Sequence, residues 1–98
     1  MKCEMLIRKE AEHDIDDAFR WYEQKRPGLG SDFLLCVEEG LARISRDPAM
    51  YPLVHKDVRR TFIRRFTYGI FYFVDERSIV VLAVSHAHRD ARTWRSRV

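Results

Sequence analysis

The chain has 98 residues, 46% of them hydrophobic, with 18 Lys and Arg against 15 Asp and Glu, for a formal charge of +3. That length suits one domain spanning residues 1–98, able to bury roughly 65% of its unfolded surface and to fold without staples, with a stability of about 5 to 10 kcal/mol. Two cysteines, Cys3 and Cys36, without C-x-x-C spacing or a Cys/His cluster, argue against a disulfide framework or structural zinc and read as buried free thiols. No signal-peptide pattern opens the chain, and no apolar run approaches the roughly 20 residues of a membrane span. These features predict a soluble, cytoplasmic protein without membrane contact.

Cys3 to Arg8 reads as a short strand. Ala11, Ile15, Ala18, Phe19 and Tyr22 then recur at helical steps, with Glu10, Asp14, Asp17 and Gln24 outside the stripe. Pro27-Gly28 ends that helix near Arg26. A second helix, capped by Gly30 or Ser31, carries Phe33, Leu34, Val37, Leu41 and Ile44 and stops at Asp47-Pro48, so the two helices should form a hairpin.

After a turn over Pro48 to Pro52, Val58 to Arg64 alternates: Val58, Arg60, Phe62 and Arg64 on one face, Arg59, Thr61 and Ile63 on the other. Tyr68 to Val74 and Ile79 to Ser85 read as an antiparallel hairpin turned at Asp75 to Ser78. Arg89 to Arg97 makes a basic tail or short helical turn. The order is βααβββ, and the expected fold is α+β, with a helical hairpin on one face of a mostly antiparallel sheet.

Charge is segregated along this order. Residues 1–58 carry nine basic and twelve acidic side chains, whereas residues 59–98 carry nine arginines and three acids, about +6. A basic half of that kind speeds encounter with phosphate backbones or acidic protein surfaces.

The chain resembles the RelE/ParE superfamily of toxin-antitoxin toxins almost end to end. The resemblance is carried by Ala18-Phe19-Arg20-Trp21-Tyr22, Pro27-Gly28-Leu29-Gly30-Ser31-Asp32-Phe33, Asp47-Pro48 with Tyr51-Pro52, and Arg59-Arg60. It continues through Arg64-Arg65-Phe66-Thr67-Tyr68-Gly69-Ile70-Phe71-Tyr72 and His86-Ala87-His88-Arg89-Asp90, closing on Trp94 and Arg97. The resemblance implies a plasmid-stabilisation type of growth inhibitor, a cognate antitoxin as partner, and contact with operator DNA only through that antitoxin; with no Gly-rich phosphate loop and no metal-ligand spacing, no cofactor or metal is expected. One branch of the superfamily inhibits DNA gyrase and another cleaves mRNA on the ribosome, and a shared fold does not choose between them.

Cleaving RNA beside a 2′-hydroxyl needs a base, an acid for the leaving oxygen and cations for the charge on phosphorus. Matched to the mRNA-cleaving branch from Tyr68 outward, two lysine positions fall on Arg60 and Phe62, and an arginine falls on Gly69. Arg89 matches a further arginine, and Trp94 or Arg95 stands where that branch has a tyrosine. Arginine does not exchange protons near neutral pH. An RNase would therefore use Arg60 and Arg89 on phosphate with His86 or His88 carrying protons, the two histidines sharing a face of a strand end.

The missing proton carriers favour the ParE-like reading of a gyrase inhibitor that works by binding, with the mRNA endonuclease as the alternative. A degenerate toxin that only binds its antitoxin is a third reading. Target or antitoxin contacts are expected at Arg59, Arg64, Arg65, Arg89, Arg92, Trp94, Arg95 and Arg97. The structural counter-readings are that the strand arginines solvate an edge, that Tyr68, Phe71, Tyr72 and Phe73 are core, and that Trp94 anchors the tail.

Overall fold

A computed structural model describes residues 4–86 and 91–98. The elements run β1 (Glu4–Ile7), α1 (Lys9–Lys25), α2 (Leu29–Arg46), β2 (Leu53–His55), β3 (Val58–Phe62), β4 (Tyr68–Asp75), β5 (Ser78–His86) and α3 (Arg92–Arg95). The strands form one sheet in the order β1-β5-β4-β3-β2. Only β1 is parallel to its neighbour; the other pairings are antiparallel. The α+β architecture expected from the sequence is therefore present, with one extra short strand, β2.

The hairpin forms because both helices have a stripe to bury. Ala11 and Ala18 of α1 and Phe33, Val37 and Ile44 of α2 join Ile70, Tyr72, Ile79, Val81 and Val84 of the sheet, and Ile63 just past β3, in one core. Helix α2 begins at Leu29, one or two residues before the expected cap, with Gly28 in the left-handed region at φ 89 and no side chain of its own to cap the helix. The capping comes from α1: the Glu23 carboxylate accepts from the N–H groups of Gly28 (3.0 Å) and Gly30 (3.0 Å). A carboxylate there satisfies orphan donors and complements the positive end of the helix.

The second face of the sheet has its own core of Val58, Phe71, Leu82, Ala83 and Trp94. A register shift creates it. Phe71 pairs with Ala83 and Tyr72 with Val81, so Leu82 is an extra residue in β5. Such a bulge interrupts the alternation, and Leu82 and Ala83 both join this cluster.

Strand β1 stops at Ile7 and pairs β5 only from Ser78 to Val81. Beyond it the outer edge of β5 is finished by side chains. The Val84 N–H donates to Asp14 Oδ2 (3.1 Å), and Arg97 Nη1 donates to the Leu82 carbonyl (3.1 Å) and to Asp14 Oδ2 (2.6 Å). Asp14, expected on the wet face of α1, is thus part of the sheet edge, and its side chain is 18% exposed. The Asp14 bond leads in holding the Arg97 guanidinium above its usual pKa, against the opposing effect of burial.

Other expectations shift at their boundaries. Strand β3 ends at Phe62 rather than Arg64, and Cys36 is a half-buried free thiol. Cys3 lies outside the described residues. Among the described residues, no helix is long and apolar enough to cross a membrane.

Candidate functional site

Strand alternation places Val58, Arg60 and Phe62 on the face opposite the helical hairpin. The C-terminal segment covers part of that face. Trp94 of α3 stacks on Phe71, with ring centroids 4.5 Å apart and planes 18° apart, and His55 meets the same indole edge-on at 5.9 Å. Towards the β3–β4 turn the face is open, and Phe62 is 48% exposed.

Arg60 occupies this open part. Its guanidinium carbon lies 4.2 Å from the Phe62 ring centroid, within the range of cation–π attraction. Its stem crosses Gly69, where a β-carbon would stand 3.2 Å from Arg60 Cγ and 3.3 Å from Cδ. The Nε is buried without a hydrogen-bond partner among the described residues. A flat cation with an unsatisfied donor suits an acidic or planar partner group.

Arg64 and Arg65 add exposed charge at the β3–β4 turn, on the side of α2 rather than of Arg60. Their side chains are 74% and 57% exposed, and each reaches an acid, Glu39 or Asp32, only at 3.5 Å. Exposed pairs at that distance are weak and screened by salt. Arg65 holds φ 70, a left-handed conformation uncommon for a side-chain-bearing residue. Arg92 and Arg95 are exposed on α3.

Three of the residues expected at partner contacts are engaged within the fold. Arg59 Nη1 donates to the carbonyls of Ala49 (3.1 Å) and Tyr51 (2.6 Å), tying down the turn before β2. Arg97 is engaged with Asp14 and the edge of β5. Trp94 is 6% exposed and anchors the segment by its stack on Phe71.

His86 lies on the other side of the sheet. Its Nε2 is 2.8 Å from Thr67 Oγ1, and its ring meets Tyr68 edge-on at 5.6 Å. The tyrosines share that side: Tyr72 is buried in the helix-side core, and Tyr22, Tyr51 and Tyr68 pack against it. Burial pushes the Tyr72 phenol up to about 12, and its hydroxyl donates to the Pro48 carbonyl (2.6 Å). His88 and Arg89 lie outside the described residues.

A second concavity adjoins His86. A cleft of about 740 Å³ opens between α1 and the end of β5, lined among others by Asp17, Trp21, Tyr22, Tyr68, Val84 and His86. Trp21 stands on its rim, 52% exposed. Sequence reasoning did not single out this cleft, although a tryptophan outside the apolar stripe of α1 was a visible signal.

A two-helix hairpin on one face of a mixed sheet, with a basic C-terminal segment across the other, defines the class as RelE/ParE-type toxins. Residues 5–91 match the family model described as the ParE toxin of the type II toxin-antitoxin system parDE, and the chain belongs to that family. A chain of the chromosomal ParDE toxin-antitoxin system from P. aeruginosa superposes with a TM-score of 0.80 at 15% identity, over 89% of this chain and 98% of that one. A chain of the toxin-antitoxin complex RelBE2 from Mycobacterium tuberculosis gives a TM-score of 0.57 at 23% identity, over 88% and 99%. At these identities the likeness is one of fold. No curated protein matches the chain in sequence.

Proposed function

We propose that this toxin acts on DNA gyrase by binding rather than by cutting RNA, and that a cognate antitoxin neutralises it by covering the basic open face of the sheet. The observation that carries the reading is the placement of Arg60 on one face of the sheet, with His86 and all four tyrosines on the other. Acid–base catalysis needs a proton carrier within hydrogen-bond reach of the reacting atoms, directly or through one water. Arg60 meets the Phe62 ring on that face, and the charged side chains exposed at the adjoining turn are Arg64 and Arg65. His55 reaches that face only at the edge of Trp94.

Arg60 on the open face and the exposed Arg64 and Arg65 at the β3–β4 turn beside it, on the α2 side, fit an acidic partner segment, and the parDE family match supports an antitoxin as that partner. Purified toxin, released from its antitoxin and titrated into a gyrase supercoiling and cleavage assay, tests the target. Loss of supercoiling or trapped gyrase–DNA cleavage is expected. Folded toxin that leaves gyrase untouched and cuts mRNA on translating ribosomes would overturn the reading.

A further inference from the structure

We infer that the cleft between α1 and the end of β5 is a docking site for an arginine side chain of a partner segment. The cleft exists because β1 stops at Ile7, leaving α1 to overhang a stretch of β5 that has no strand beside it. Its chemistry differs from that of the open sheet face.

Asp17 and Trp21 lie four residues apart on α1 and therefore project from one face of the helix. Both are exposed and both line the cleft. Asp17 is the lining carboxylate that no cation among the described residues neutralises, whereas Asp14 is already engaged by Arg97. The Trp21 indole already draws the cation within its reach: the Lys25 ammonium stands 4.6 Å from the ring centroid.

A guanidinium can stack on an indole while its N–H fork meets a carboxylate, a combination that an ammonium cannot reproduce. A carboxylate without an ion pair among the described residues, beside an exposed indole, gives this cleft a cation-accepting character that the basic sheet face lacks. The occupant is thus an arginine flanked by apolar residues that cover Trp21 and Tyr22. The inference stands apart from the gyrase reading, because the cleft lies on the hairpin side of the sheet.

The test uses the full chain, ¹⁵N-labelled, titrated with the capped peptide acetyl-Leu-Arg-Leu-amide and with its citrulline counterpart, which keeps the shape and loses the charge. Shifts are expected at the Trp21 indole N–H and the amides of Asp17 and Val84. The arginine peptide should bind about fivefold tighter than the citrulline one, the scale of one exposed cation–π contact plus one screened ion pair. Asp17→Asn, a change at an exposed position, should cut that preference to about twofold, the share left to the cation–π contact. Equal affinity of the two peptides, shifts centred on Phe62 and Arg64, or no shift at millimolar peptide would each overturn the inference.

Discussion

Gly30 sits where α2 begins under Phe19 of α1, and a β-carbon there would lie 2.8 Å from the Phe19 carbonyl oxygen and 2.8 Å from its ring. A ring can turn aside, but a helical carbonyl cannot move without its helix. Gly30→Ala should therefore lower the unfolding free energy by about 2 to 3 kcal/mol, in the range of overpacked sites. Two residues earlier, Gly28 has open space around it but holds φ 89, so Gly28→Ala should cost only the left-handed penalty, about 1 to 2 kcal/mol. Chemical denaturation of the two variants separates steric from conformational causes; equal losses would mean that the helices part easily at this contact.

At the scale of elements, the short reach of β1 leaves β5 with an edge that the pair Asp14–Arg97 finishes, and the bond from Arg8 Nη1 to the Arg97 carbonyl (2.7 Å) secures the same segment. Both side chains of the pair are only 18% exposed. Removing one partner leaves the other with little water to replace it. Asp14→Ala and Arg97→Ala should each cost about 2 to 3 kcal/mol, and the double variant less than their sum, as for residues in direct contact. Hydrogen exchange at the Val84 amide should accelerate in Asp14→Ala, and an unchanged rate would show that the edge is protected by something else.

Which elements could be read from sequence follows from the range of the forces that make them. The two helices and the β4–β5 hairpin announce themselves through apolar periodicity, a property of neighbours in the chain. Strand β2 is three residues long with a register shift, too short to display alternation. The bulge at Leu82 and the parallel pairing of β1 depend on partners more than 70 residues away or on another strand's register. The arginines show the same limit at the site: in sequence they are one basic run, and only packing separates Arg59 and Arg97, tied to carbonyls and Asp14, from Arg64 and Arg65 in solvent. Trp94 was undecided for the same reason, since its burial depends on Phe71 across the sheet.

For the molecule as a whole, charge segregation along the chain carries into its architecture, with most acids in the hairpin half and most arginines in the part of the chain that follows it. A surface of this kind acts on encounter more than on the lifetime of a complex, because exposed charges steer partners at long range and contribute little once screened. Arg64 and Arg65 suit a test of this, because both are exposed and their ion pairs are long. Replacing both with glutamate should change stability by no more than about 0.5 kcal/mol each, the usual range for surface positions. If the antitoxin meets this face, the same variant should slow antitoxin association by about tenfold at low ionic strength, and the deficit should shrink as salt shortens the screening length. Stopped-flow association at two salt concentrations measures this directly. A rate that is unaltered at both, in a variant that remains folded, would place the antitoxin's approach on another surface and leave the arginines of the β3–β4 turn to the toxin's target.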